Sequence, residues 1–214
     1  MSKIYKIGIT QRVDTIDSYP ESRDALDQRL INWVRSSGNI PIPIPNSLIN
    51  TSFNNKLQPD LELWLKNVNI DSFILSGGND IGKAINRDIT EKYLLSWAEK
   101  HSKPVLGICR GMQMMGIYFG KELIEINGHV NTHHKLKIKN PKNQLPFSVN
   151  SYHNYALEEC PDSFEVLAES KDGVIKAIKH EILAWEGWMW HPERETPFNE
   201  IDLIRFKQLI EKNV

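Results

Sequence analysis

The chain has 214 residues, with 26 Lys and Arg set against 27 Asp and Glu, for a formal net charge of −1. The two signs are mixed along the chain, which excludes the basic stripe of a nucleic-acid binder, and no apolar run reaches the length of a membrane span. Two cysteines make no disulfide framework, so a reducing cytoplasm is expected, where a free thiol can do chemistry. The length suits one α/β domain over 1–214, with no stretch that reads as a linker. Alternating apolar and polar residues predict a first strand over 4–10, without the longer apolar core of a signal peptide. An amphipathic helix over 22–37, stopped by Ser37-Gly38, comes next. Ile40-Pro41-Ile42-Pro43-Ile44-Pro45 predicts an edge strand over 39–44, since proline cannot donate a ladder hydrogen bond. Pro59-Asp60 opens a helix over 59–68. A buried strand over 70–75 ends in Ser76-Gly77-Gly78-Asn79-Asp80, a helix spans 90–101, and a strand over 104–109 feeds a helix over 112–120. Strands alternating with helices predict a parallel sheet covered on both faces. After residue 120, shorter strands are expected at 134–139, 146–150, 164–170, 173–179 and 182–190, before a closing helix near 198–212. Lys171-Asp172-Gly173 reads as a hairpin turn between two of them. The second half should therefore add antiparallel strands to a mostly parallel core.

The most informative stretch is Gly107-Ile108-Cys109-Arg110-Gly111-Met112-Gln113, where an apolar strand turns abruptly into a helix. This order is a nucleophile elbow in cysteine form. Gly107 and Gly111 leave room for a strained turn that presents Cys109. The following helix aims free N–H groups and its positive dipole end at the sulfur, which favours the reactive thiolate. A buried core cysteine would need neither glycine. Cys160, beside Pro161-Asp162, carries no motif.

A cysteine nucleophile needs a base, and the base needs an orienting group. Of seven histidines, His191 stands out because it follows an apolar strand and is locked into His191-Pro192-Glu193. Proline biases His191 away from helix, and Glu193 can turn back to accept an imidazole N–H. Ser76-Gly77-Gly78-Asn79-Asp80 lies at a strand end, where consecutive glycines let N–H groups converge on an oxyanion. The N–H of Arg110, directly after the nucleophile, is the usual second donor.

These blocks, with Val149-Asn150-Ser151-Tyr152-His153 and Trp190 before His191, closely resemble the class I glutamine amidotransferases. The resemblance spans nearly the whole chain and is nearest to their stand-alone γ-glutamyl hydrolases, such as those acting on γ-glutamyl-γ-aminobutyrate. It implies a flavodoxin-like three-layer α/β fold with the site at the carboxyl ends of the parallel strands. It also implies Cys109 as nucleophile, His191 as base, Glu193 as its orienter, and Gly78 and Arg110 as oxyanion donors. Gln113 and the Ser151-Tyr152 backbone would hold the α-amino and α-carboxylate ends of a γ-glutamyl group, with Asn79 also at the substrate. No cofactor is implied. The opening Ile7-Gly8-Ile9-Thr10-Gln11-Arg12 is similar to γ-glutamyl-CDP-amidate hydrolases of capsule phosphoramidate assembly. The chain departs from many relatives in Gly187-Trp188-Met189-Trp190 before His191, and in Asn154 after His153.

Arg23 has two readings, a grip on an acidic leaving group or part of a capped helix start. His129, His133 and His134 suggest a metal, but no carboxylate or thiol near them in sequence completes a ligand set, and none is expected. Trp185, Trp188 and Trp190 are expected in the core. The implied activity is hydrolysis of a small-molecule γ-glutamyl amide through a γ-glutamyl thioester. The alternative is a glutaminase component passing ammonia to a separate synthase; the absence of a fused synthase domain favours the hydrolase modestly, since such a partner can be a separate chain. A non-catalytic redox thiol is opposed by the intact Cys109, His191 and Glu193. The partners implied are the substrate, with a synthase or a second copy of the chain as further possibilities.

Overall fold

The computed structural model describes residues 3–49 and 59–212. Strand β1 (Lys6–Thr10) leads into a hairpin of β2 (Arg12–Ile16) and β3 (Glu21–Ala25), paired antiparallel with Arg12 opposite Ala25. The sequence pattern places a helix from residue 22. Instead α1 (Gln28–Ser36) begins six residues later, because Asp27 caps it by accepting from the Arg29 N–H while residues 21–25 join the hairpin ladder. Strand β4 (Ile40–Ile44), helix α2 (Pro59–Val68) and strand β5 (Ser72–Leu75) fall close to their expected places. Helix α3 (Ile85–Lys100) starts earlier than the expected residue 90. Strand β6 (Val105–Ile108) then feeds α4 (Arg110–Tyr118).

The second half holds β7 (Leu123–Glu125), β8 (Val130–Lys135), β9 (Lys137–Ile138), β10 (Ser148–Tyr152) and β11 (Tyr155–Leu157). It closes with β12 (Phe164–Glu169), β13 (Ile175–His180), β14 (Trp185–Trp188) and α5 (Glu200–Glu211). The strand expected over 134–139 is thus two strands. They part at Leu136, whose N–H turns to the Phe147 carbonyl.

The main sheet runs in the order β4-β1-β5-β6-β14-β13-β12-β9. Its first five strands pair in parallel, and every pairing beyond β14 is antiparallel. The mostly parallel core with added antiparallel strands is therefore present. Two smaller ladders, β8 with β10 and β7 with β11, stand outside it.

Alternate residues along the central strands enter different apolar clusters. Ile74 and Leu106 pack with Trp33 of α1 and Phe206 of α5, whereas Phe73, Leu75 and Val105 pack with Leu61, Leu94 and Met112. Because side chains alternate across a strand, the two clusters lie on opposite sheet faces. This gives three layers, with α1 and α5 on one side and α2, α3 and α4 on the other. Trp185, Trp188 and Trp190 are buried in these cores, with the rings of Trp188 and Trp190 stacked at 5.2 Å. No described helix is long and apolar enough to cross a membrane.

Helix α4 meets the sheet backbone to backbone. A Cβ at Gly111 would stand 2.1 Å from the Leu75 carbonyl oxygen, and one at Gly107 would stand 2.6 Å from the Gly111 carbonyl carbon. Main-chain atoms cannot turn aside as side chains can. We expect Gly111→Ala to lose about 2 kcal/mol of stability through overpacking, measured by urea unfolding. A loss under about 0.5 kcal/mol would show that α4 slides freely on the sheet.

Candidate active site

Strand β6 ends at Cys109, whose φ of 51° and ψ of −104° are a conformation that non-glycine residues rarely adopt. Its own N–H is held by the Trp188 carbonyl of β14 at 2.7 Å, so the strained turn is tied to the neighbouring strand. The side chain emerges at the N-terminus of α4, where the first N–H groups have no intrahelical partner. Cys160 is different in kind. Burial pushes its thiol up to about 11, and it donates to the Phe164 carbonyl.

His191 follows β14, the parallel neighbour of β6, which carries it to the same end of the sheet as Cys109. One side chain of β10 clamps its backbone: the His191 N–H donates to Asn150 Oδ1 at 2.9 Å, and Asn150 Nδ2 donates to the His191 carbonyl at 2.8 Å. The ring lies against Gly77, where a Cβ would stand 2.5 Å from its Cε1. His191 Nδ1 donates to Glu193 Oε1 at 2.7 Å, which leaves Nε2 free for the Cys109 sulfur. Burial opposes a charge on this imidazole, but Cys109 and Glu193 together outweigh it and raise its pKa from 6.5 to about 9. His191 and Glu193 are both buried.

The glycine loop after β5 is held from below by Arg87 of α3. Its Nη2 donates to the Ser76 carbonyl at 2.6 Å and the Gly77 carbonyl at 3.0 Å, and its Nη1 reaches the Gly78 carbonyl. With its carbonyls bound beneath, the loop turns at Gly78, whose φ of +84° suits glycine. Arg87 also pairs with Glu91 at 3.0 Å, and Arg110 binds both Glu91 and Asp88. The Arg110 guanidinium is thus committed to the interior, and only its backbone N–H, at the first turn of α4, can serve an oxyanion.

Two of the residues expected at the substrate are engaged by other parts of the chain. The Asn79 amide is occupied, accepting from the Val13 N–H at 2.8 Å and donating to the Val13 carbonyl at 3.0 Å, so it clamps the β2–β3 hairpin to the glycine loop. Arg23 is at no helix start. It stands exposed on β3, bonded to Glu21 and Tyr19, and the pocket beside His191 and Glu193 is lined instead by Arg12 and Arg194. That pocket, about 50 Å³, also touches Gly77, Gly78, His191 and Glu193.

Gln113 and the Ser151–Tyr152 segment are brought to the same wall. Gln113 Nε2 donates to the Tyr155 carbonyl at 2.8 Å, and the Tyr152 ring meets His191 edge-on at 6.0 Å, with the Arg194 guanidinium over it at 4.4 Å. Behind the wall lie the unexplained histidines. A carboxylate does stand with them, contrary to the expectation from sequence: Asp172, distant in the chain, groups with His129 and His134 as three groups that could hold a metal ion. His129 and His134 are stacked nearly parallel, at 4.1 Å and 7°, so their in-plane lone pairs do not converge on one point. His129 Nδ1 is moreover already engaged by the Lys176 ammonium at 2.9 Å.

The family model described as glutamine amidotransferase class-I matches residues 23–207. The chain belongs to that family. It is 34% identical over 208 residues to the gamma-glutamyl-CDP-amidate hydrolase of Campylobacter jejuni, covering 93% of this chain and 95% of that one. It is 32% identical over 152 residues to one component of a glutamine-hydrolyzing GMP synthase from Methanococcus maripaludis, covering 68% and 77%. A solved structure from Thermoplasma acidophilum superposes with a TM-score of 0.69 at 21% identity, covering 98% of this chain and 94% of the other. A glutamine amidotransferase from Thermotoga maritima gives 0.63 at 16%, covering 99% and 86%. Both structures share the fold.

Within this amidotransferase fold, sequence reasoning missed Arg12, Arg87, Lys176 and Arg194. Only Arg87 left a local signal, an Arg-Glu pair at i and i+4 that reads equally well as a solvated helix face. The raised pKa of His191 has a direct consequence. A native value above 6.5 stabilises the fold fully below about pH 6.5, and that contribution is lost as pH rises through about 9. In Cys109→Ala the His191 midpoint, followed by NMR, should drop well below 9, and the stability gap to wild type should narrow above pH 9. An unchanged midpoint would remove Cys109 as the partner.

Proposed function

We propose that this protein is a cysteine-dependent hydrolase of γ-glutamyl amides, with γ-glutamyl-CDP-amidate as its substrate. The observation that carries the reading is His191, held between Cys109 and Glu193 and pressed onto Gly77 of the loop that would receive the oxyanion. In this reaction the Cys109 thiolate attacks the γ-carbonyl carbon. The resulting oxyanion rests on the N–H groups of Gly78 and Arg110. The tetrahedral intermediate collapses as the C–N bond breaks, and the leaving nitrogen takes the proton carried by the His191 imidazolium. His191 then deprotonates a water that hydrolyses the thioester, releasing glutamate and restoring the cysteine. The Campylobacter relative supports the choice of leaving group, as do Arg12 and Arg194 in the pocket beside His191, since a nucleoside diphosphate is anionic. A thiolate mechanism suits the reducing cytoplasm.

The GMP synthase relative from Methanococcus favours a second reading, a glutaminase that hands ammonia to a separate synthase. Glutamate release by the purified chain from glutamine, γ-glutamyl-γ-aminobutyrate and γ-glutamyl-CDP-amidate separates the two. We expect fast turnover of the amidate and little of glutamine. Slow turnover of glutamine alone, accelerated by an added synthase, would establish the second reading instead. Cys109→Ala and His191→Ala should each lower kcat at least about 10³-fold, and Glu193→Ala about 10- to 100-fold, because an orienter assists the base without replacing it. Normal activity in Cys109→Ala would end the covalent mechanism.

A further inference from the structure

Lys176 of β13 is fully buried, and the triad does not use it. Its Nζ stands 2.9 Å from each of three atoms: Ser151 Oγ, His129 Nδ1 and His153 Nε2. The tautomers follow from the outer partners. His153 Nδ1 faces the Tyr155 carbonyl at 2.9 Å, which can only accept, so Nδ1 carries the hydrogen and Nε2 is a lone pair. His129 Nε2 faces the Asp172 carboxylate at 2.8 Å, so its Nδ1 is likewise a lone pair. Three acceptors therefore meet three N–H donors, and the group is an ammonium with every hydrogen bonded.

Its charge is not matched in the same way. The one carboxylate of the cluster, Asp172, lies an imidazole away with half its side chain in solvent. Burying an ammonium without a direct counter-ion is expensive, and strongly perturbed buried groups cluster at functional sites. Ser151 and His153 flank Tyr152, so a single ammonium fixes both neighbours of that residue. At this point the β10–β8 register slips between Ser151 and Tyr152, a bulge of the kind that re-aims backbone groups beside active sites. Asn150 and Tyr152 of the same strand both contact His191, and Lys176 is close enough to Cys109 for their charges to interact. Gln113 shares the Tyr155 carbonyl with His153, so this wall is continuous with α4.

We propose that Lys176 is a positioning residue for the substrate, holding the Ser151–Tyr152 bulge and supplying the positive charge that retains the α-carboxylate of a γ-glutamyl group. This rests on the γ-glutamyl reading above. The titratable groups facing Lys176 are His129 just before β8, His134 of β8, His153 after β10, Asp172 in the β12–β13 turn and Cys109 at the elbow. Burial, with the Lys176 charge adding to it, lowers His153 to about 3. Asp172 is held far below the carboxylate range, first by Ser170 and then by His129. Neither changes charge between pH 6 and 9. Lys176, pushed down to about 8 by burial, does.

The test compares γ-glutamyl-p-nitroanilide with 4-aminobutanoyl-p-nitroanilide, the same amide without the α-carboxylate. In Lys176→Met, KM for the γ-glutamyl anilide should rise about tenfold, with a smaller change in kcat. The wild-type preference for the carboxylated substrate in kcat/KM should fall by a similar factor, about 1.4 kcal/mol. Wild-type KM should climb above about pH 8, and Lys176→Arg, charged throughout, should keep it flat. That pH comparison carries the test if Lys176→Met does not fold. Turnover by wild type with an unchanged preference in Lys176→Met, or with a KM indifferent to pH in both wild type and Lys176→Arg, would overturn the role of Lys176 and leave the hydrolase standing. Wild type inert toward every γ-glutamyl compound would overturn both.

Discussion

Two arginines and two acids, buried together beneath the site, hold its halves in register. Arg87 and Glu91 belong to α3, Arg110 opens α4, and Asp88 completes the set. Glu91 also accepts from Thr10 Oγ1 at 2.7 Å, and Thr10 Oγ1 accepts from the Ser76 N–H at 2.9 Å, so β1 and the glycine loop join the same network. Burial alone would raise the Glu91 pKa. Arg110 and then Arg87 outweigh it, and Glu91 stays below its ordinary value. Such a cluster adds little net stability over an apolar core, but removal of one member strands the others and costs about 3–5 kcal/mol. Its effect here is positional. The glycine loop after β5 and the helix that follows Cys109 cannot drift apart while these four charges remain paired.

The site sits where the parallel half of the sheet meets the antiparallel half. Strand β14 takes part in both, pairing with β6 on one side and β13 on the other. From the parallel side come Cys109 and the glycine loop. The antiparallel side brings Lys176, and the β10 segment that clamps His191 comes from a ladder outside the main sheet. The strained backbone of Cys109 is tied by the hydrogen bond from its N–H to Trp188 to β14, the strand that borders both halves.

The parallel half was legible because each of its signals is local. A buried strand ends directly in a glycine pair, another runs straight into the elbow, and His191-Pro192-Glu193 sets the expected base and its orienter two positions apart. The β2–β3 hairpin was misread because Glu21-Ser22-Arg23-Asp24-Ala25 is polar enough for a helix start, and only pairing with β2 makes it a strand. Asn79 looked available for substrate because its clamp partner, Val13, lies 66 residues away. Asp172 and Lys176 escaped for the same reason, since their partners His129, Ser151 and His153 are brought near by the fold and by no spacing in the chain. Charges buried in networks look like surface charges until the partners are known.

The edges of the main sheet limit how copies of the chain can associate. At one border, Ile40 of β4 turns its N–H inward to the Tyr5 carbonyl, which directs Pro41 and Pro43 outward, where they have no hydrogen to give. At the other border stands β9, only two residues long. Neither rim offers the row of free donors on which another strand could template. Joining the main sheets of two copies rim to rim is therefore opposed at both borders, which leaves the carboxyl ends of the parallel strands, where Cys109 and His191 stand, out of any such seam.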